Sequence, residues 1–201
     1  MKIVLLIILL FSLISCGGGN STASNIDDNN GLQNNPSITV ENCITTNQNG
    51  LKKCDLLHDN RERFYYIYTP ENLDSNLSIP VLFAFHGYGS SANRHMNYTN
   101  YMQIADENNF VVVYPQGATT PTLSAHWNVG GWTSKSTVKD IEFIETVINL
   151  IQDKIQIDQS RIYSSGMSNG GYMGYHLACN LSEKFAAIAS VTGSMTTNTY
   201  D

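Results

Sequence analysis

Gly166-Met167-Ser168-Asn169-Gly170 falls between a predicted strand, Arg161 to Ser165, and a helical stretch from about Gly171 to Leu181. Glycines on both sides of a serine at such a junction let strand and helix approach closely. They also force the serine onto a sharp turn that holds its hydroxyl clear of the sheet. A serine hydroxyl is a poor nucleophile until a base takes its proton and its oxygen is exposed, and this turn supplies the second condition. Ser168 is therefore the candidate nucleophile.

The flanking segments read as alternating strands and helices. Arg63 to Thr69 is aromatic and β-branched and stops at Pro70, whereas Val81 to Phe85 and Phe110 to Tyr114 are short apolar runs suited to strands buried on both faces. Tyr98, Tyr101, Met102 and Ala105 recur at helical spacing. A second helix places Ile141, Ile144, Ile148, Ile151 and Ile155 on one face, with Thr137 as its cap and Asp140 three residues on. Phe185 to Val191 is the last apolar run. Alternation of this kind predicts an α/β fold with a mostly parallel sheet covered by helices on both faces. Residues 116–136 form a long Gly/Thr/Ser-rich loop whose Trp127 and Trp132 either line a cleft or staple the loop down.

An acyl-transfer site needs donors for the developing oxyanion. The N–H of Asn169, following the nucleophile at a helix start, is one candidate. His86-Gly87-Tyr88-Gly89 follows a buried strand directly, and the N–H of Tyr88 is the other. Three stretches carry a wider likeness: Pro80-Val-Leu-Phe-Ala-Phe-His-Gly-Tyr-Gly, Ala105-Asp-Glu-Asn-Asn-Phe-Val-Val-Val-Tyr-Pro-Gln-Gly, and Ile157-Asp-Gln-Ser-Arg-Ile-Tyr-Ser-Ser-Gly-Met-Ser-Asn-Gly-Gly-Tyr-Met. From about Arg61 to Met195 the chain resembles the polyhydroxybutyrate depolymerase and feruloyl/acetylxylan esterase family of secreted serine α/β-hydrolases. The resemblance implies an α/β-hydrolase fold and cofactor-free ester hydrolysis, with short polyesters or acylated plant polysaccharide as substrate. It also implies a structural, non-catalytic place for Asp140 in an acidic helix start.

The N-terminus reads differently from the rest. Lys2 precedes an aliphatic run, Ile3 to Ile14, that is too short to span a bilayer and fits a signal-peptide core. It ends in Leu13-Ile14-Ser15-Cys16, which resembles the lipobox of bacterial lipoproteins and implies lipid attachment at Cys16. Residues 1–15 are thus expected to be a signal, 16–36 a tether of Gly, Ser, Asn and Asp, and 37–201 the N-terminal part of a hydrolase domain. The expected location is the bacterial cell envelope, lipid-anchored or secreted, with the anchor as the one membrane contact. In an exported protein Cys43 and Cys54 can form a bridge, although two unpaired thiols fit the same spacing. Cys179, on the helix after the nucleophile, reads as a core residue. No His/Cys cluster has metal-ligand spacing, so no metal is expected. The formal charge of −6 argues against nucleic acid as a partner.

In this kind of site the acid and then the histidine follow the serine along the chain. No suitable pair follows Ser168 before Asp201, and His58, His86, His95, His126 and His176 all lie too early or on the wrong element. His126, in the long loop, has no evident acid to serve it as a base. The expectation is a C-terminally truncated hydrolase whose last strands are missing, of low activity and reduced stability. Two other readings are a serine peptidase of the prolyl-peptidase type and a non-catalytic remnant or surface binding protein.

Overall fold

The computed structural model describes residues 40–74 and 76–196. The signal, Cys16 and the tether fall outside the described residues. Seven strands form one sheet in the order β1-β2-β3-β5-β4-β6-β7: β1 Glu41–Thr45, β2 Leu51–His58, β3 Arg61–Tyr68, β4 Ile79–Phe85, β5 Val111–Pro115, β6 Ile157–Met167 and β7 Ala187–Val191. The strands β5-β4-β6-β7 run parallel, while β1, β2 and β3 add to the β5 edge antiparallel. The sheet is therefore mixed. Parallel pairing is confined to strands joined through helices, because a two-residue turn can only reverse the chain.

Such turns build the N-terminal part. Asp59 and Asn60, both at positive φ (50° and 57°), join β2 to β3 with His58 opposite Arg61. This is the backbone of a tight hairpin, whose twist matches that of its strands. Asn49-Gly50, with Gly50 at φ 74°, ends the connection from β1 to β2. A disulfide joins Cys43 to Cys54, which face each other across that pair.

Helices cover both faces. Along β5, Val111 and Val113 join the larger core with Phe143 and Ile144 of α3 (Asp140–Gln152) and Met173 and Leu177 of α4 (Asn169–Asn180). Val112 and Tyr114 point the other way, onto Ala92 and Met96 of α1 (Ala92–Thr99) and Ala105 of α2 (Tyr101–Asn108). This two-residue alternation, apolar on both sides, explains the unbroken hydrophobic runs of the central strands.

Three local readings change. The helical spacing from Tyr98 to Ala105 is carried by two helices, because Asn100 adopts the left-handed conformation (φ 55°) and splits them. Thr137 does not cap α3: Lys139 occupies that position and makes no side-chain cap bond. Asp140 is drawn inward by buried Arg63, and the helix starts there. Cys179 is only half-buried on α4.

Candidate active site

The parallel pair β4 and β6 run out side by side, with Phe85 opposite Gly166, and deliver the two candidate segments to one edge of the sheet. Ser168 sits between β6 and α4 at φ 53°, ψ −120°. A non-glycine residue in that region is strained and persists only when its surroundings over-determine it. Here its N–H donates to Val191 O at 2.8 Å, and its carbonyl accepts from Tyr172 N at 3.0 Å. Gly170 lies so close to the Phe85 and His86 carbonyls that a methyl would overlap them, and one on Gly166 would overlap Gly170 O. The glycines are thus required by close approach of three backbones.

Gly87 packs against Ser168: a Cβ there would lie 3.3 Å from Met167 O and 3.6 Å from Ser168 Cβ. Beyond it the turn curls back, Gly89 N donating to Ala125 O (2.8 Å) and Ser90 N to Gly87 O (3.1 Å). Of the amides from Tyr88 to Ser90, that of Tyr88 is the one left unused among the described hydrogen bonds. Asn169, first residue of α4, has an N–H with no intrahelical acceptor. Tyr88 thus follows the glycine that packs against Ser168, and Asn169 follows Ser168 directly.

His86 is fully buried and serves this turn, not the serine. Its Nε2 accepts from Gly117 N at 2.9 Å, which places the proton on Nδ1, and Nδ1 donates to Gly87 O at 2.8 Å. Burial pushes its pKa below the ordinary histidine value. A second staple crosses from the long loop. Trp127, fully buried, donates Nε1–H to His86 O at 2.9 Å and meets Phe85 edge-on. The Asn169 side chain accepts from Trp127 N (2.7 Å) and donates to Trp127 O (3.1 Å). The loop is anchored further along where Asp140 accepts from Asn128 N and from Arg63 Nη2, each at 2.7 Å. Arg63 also donates to Gln116 O at 3.2 Å and lies over the Phe143 ring. Asp140 thus holds the loop that backs the site, consistent with a structural role.

The two tryptophans divide the roles that the sequence left open: Trp127 staples the loop, and Trp132 is exposed. None of the five histidines is hydrogen-bonded to Ser168 among the described residues. His126 is committed to Ser124 O and Ser136 Oγ, at 2.9 and 2.7 Å. His58 faces Thr146 and Phe143, and His176 contacts Asn180 within α4. His95, 2% exposed, packs edge-on to Tyr98, and neither ring nitrogen has a partner among the described residues.

That burial lowers the His95 pKa to about 4, with the neighbouring His86 adding to the effect. Above pH 6.5 the residue is neutral in both folded and unfolded chains and contributes nothing. Between 6.5 and 4 the unfolded chain takes up a proton that the fold excludes, so stability falls as pH falls and levels off below 4. The expected loss is on the order of 2–3 kcal/mol across that window. Urea titrations at pH 7.5 and 4.5 should show it, and His95→Leu should flatten the dependence. An unchanged pH slope in that variant would count against this assignment.

Fold and site together define an α/β-hydrolase. The prolyl oligopeptidase family model matches residues 96–201, Ser168 included, and the chain belongs to that family. The chain is also 35% identical over 130 residues to feruloyl esterase B of Thermothelomyces thermophilus, covering 64% of this chain and 43% of that protein. It is 33% identical over 131 residues to a bifunctional acetylxylan esterase/xylanase of Neocallimastix patriciarum, covering 65% of this chain and 18% of that protein. The chain therefore spans less than half the length of these two curated relatives. Among solved structures, an S-formylglutathione hydrolase from Agrobacterium tumefaciens superposes with a TM-score of 0.60 at 19% identity, covering 73% of this chain and 60% of that one. An acetyl xylan esterase from Aspergillus awamori gives 0.52 at 21%, covering 69% and 51%.

Proposed function

We propose that this chain carries the nucleophile half of a carboxylic-ester hydrolase. The observation that carries the reading is Ser168 itself, locked at positive φ with Gly87 against its Cβ. Ser168 Oγ adds to the ester carbonyl, and the tetrahedral oxyanion accepts from the N–H groups of Tyr88 and Asn169. Collapse expels the alcohol, and water then releases the acid from the acyl-enzyme. On this reading none of the five histidines, none of which hydrogen-bonds Ser168 among the described residues, is the proton acceptor, and residues 40–196 contribute the nucleophile and the oxyanion donors.

Ester turnover by the 201-residue chain is therefore expected to run about four orders of magnitude or more below that of a complete serine esterase. What remains should disappear in Ser168→Ala. Initial rates on p-nitrophenyl butyrate, with mass spectrometry of the acylated protein, test both statements. A residual rate untouched by Ser168→Ala would sink the reading. The substrate class is an acylated polysaccharide or a short hydroxyacid polyester, and the feruloyl and acetylxylan esterases among the relatives favour the first. The family match favours a second reading, a peptidase of the prolyl type. A proline-amide substrate assayed beside methyl ferulate separates the two.

Export with lipid attachment at Cys16 completes the proposal, supported by Leu13-Ile14-Ser15-Cys16 after the apolar run. No helix among the described residues is long and apolar enough to cross a membrane. In a bacterial host, labelled palmitate should enter the protein and be lost in Cys16→Ala. Equal labelling of both proteins would exclude attachment at this cysteine.

A further inference from the structure

The described residues leave three large aromatic side chains exposed, Tyr88, Tyr98 and Trp132, and contacts link each of them to the neighbours of Ser168. Tyr88 follows Gly87, which touches the nucleophile, and its ring meets Trp132 edge-on at 5.1 Å. On the other side Tyr98 reaches Met167, the residue before Ser168. Every other aromatic ring among the described residues is buried or half-buried, so a cluster of exposed rings near Ser168 calls for a ligand.

The Tyr88–Trp132 pair is held in place before any ligand arrives. Tyr88 Oη accepts from Ser124 N at 3.2 Å. Trp132 lies in the short helix Gly131–Thr133, where Val129 N donates to Thr133 Oγ1 (2.9 Å) and Thr133 Oγ1 donates to Gly130 O (2.8 Å). Ordering rings in advance removes part of the entropy cost of binding. The two rings remain open, 43% and 48% exposed, and the same loop supplies exposed hydroxyl and ammonium groups at Ser124, Ser134 and Lys135. A small phenolic acyl group is gripped by an enclosed pocket that covers most of its surface. An open plate with a polar rim suits a pyranose, whose C–H face stacks on the ring while its hydroxyls stay near water and donors.

Resting on the ester-hydrolase reading above, we infer that Tyr88 and Trp132 form a stacking platform for a sugar ring of the polysaccharide that bears the ester. The platform binds the alcohol side of the scissile bond, and it selects polymer-borne esters over free acyl esters.

The test uses Ser168→Ala protein and soluble arabinoxylan, with xylohexaose and methyl ferulate as separate arms. The chain has two tryptophans and Trp127 is fully buried, so ligand quenching of emission reports Trp132. Arabinoxylan and xylohexaose should quench it and retard the protein in affinity electrophoresis. Trp132→Ala should weaken retardation about tenfold, and Trp132→Phe should recover most of it. Equal retardation of the Trp132→Ala variant overturns the inference, as does quenching by methyl ferulate alone. Retardation together with a residual ester-hydrolysis rate that Ser168→Ala leaves untouched would support the platform while removing the esterase reading. Acylation without retardation would remove the platform and leave the esterase.

Discussion

Asp140→Ala is expected to destabilise the fold by about 3–5 kcal/mol, because it leaves the Arg63 guanidinium buried without its counter-charge. The two side chains are 2% and 0% exposed, so water cannot take the place of the lost carboxylate. The substitution also strips the acceptor from Asn128 N, which anchors the loop over the site. For a domain of this size each kcal/mol shifts the melting temperature by about 2–4 °C, so a drop of roughly 10 °C or more should appear in calorimetry. Replacing both partners with apolar residues, Arg63→Met with Asp140→Leu, should cost less than Asp140→Ala alone. A loss below about 1 kcal/mol in the single variant would show that the pair is not the clamp described.

Trp127→Ala should cost a similar 3–5 kcal/mol, for a different reason. It opens a cavity beside Phe85 and removes the donor that satisfies His86 O, in a place sealed from solvent. Trp127→Phe separates the two contributions. It keeps most of the apolar volume but orphans the carbonyl, at about 1–3 kcal/mol. Chemical denaturation of the three proteins measures both steps. If Trp127→Phe matched the parent, the His86 turn would not depend on this hydrogen bond.

Much of the parallel part of the fold was legible because its strands are buried on both faces and appear as uninterrupted apolar runs. The elbow was legible because its glycines flank the serine at a strand-to-helix junction. Of the β1–β2–β3 ribbon only β3 is anticipated, from Arg63 to Thr69; β1 and β2 are not, although they carry signals. Asn49-Gly50 and Asp59-Asn60 are hairpin turns by composition. Lysines and aspartates on a half-exposed edge obscured the alternation between them. The sequence puts the start of α4 two residues late, at Gly171, because Gly170 looks like turn, whereas it lets the helix begin against the sheet. The web linking Arg63, Asp140, Trp127, His86 and Asn169 joins residues far apart in the chain, and no local pattern encodes such pairings.

The bond from Ser168 N to Val191 O fastens the serine's backbone to β7, which among the described residues pairs with β6 alone. Edge strands open locally at lower free energy than the centre of a sheet. Fraying of β7 would release the Ser168 backbone, and amide exchange at Ser168 would report it directly. Any strand paired along the side of β7 away from β6 would slow that exchange and hold Ser168 at its positive φ for longer.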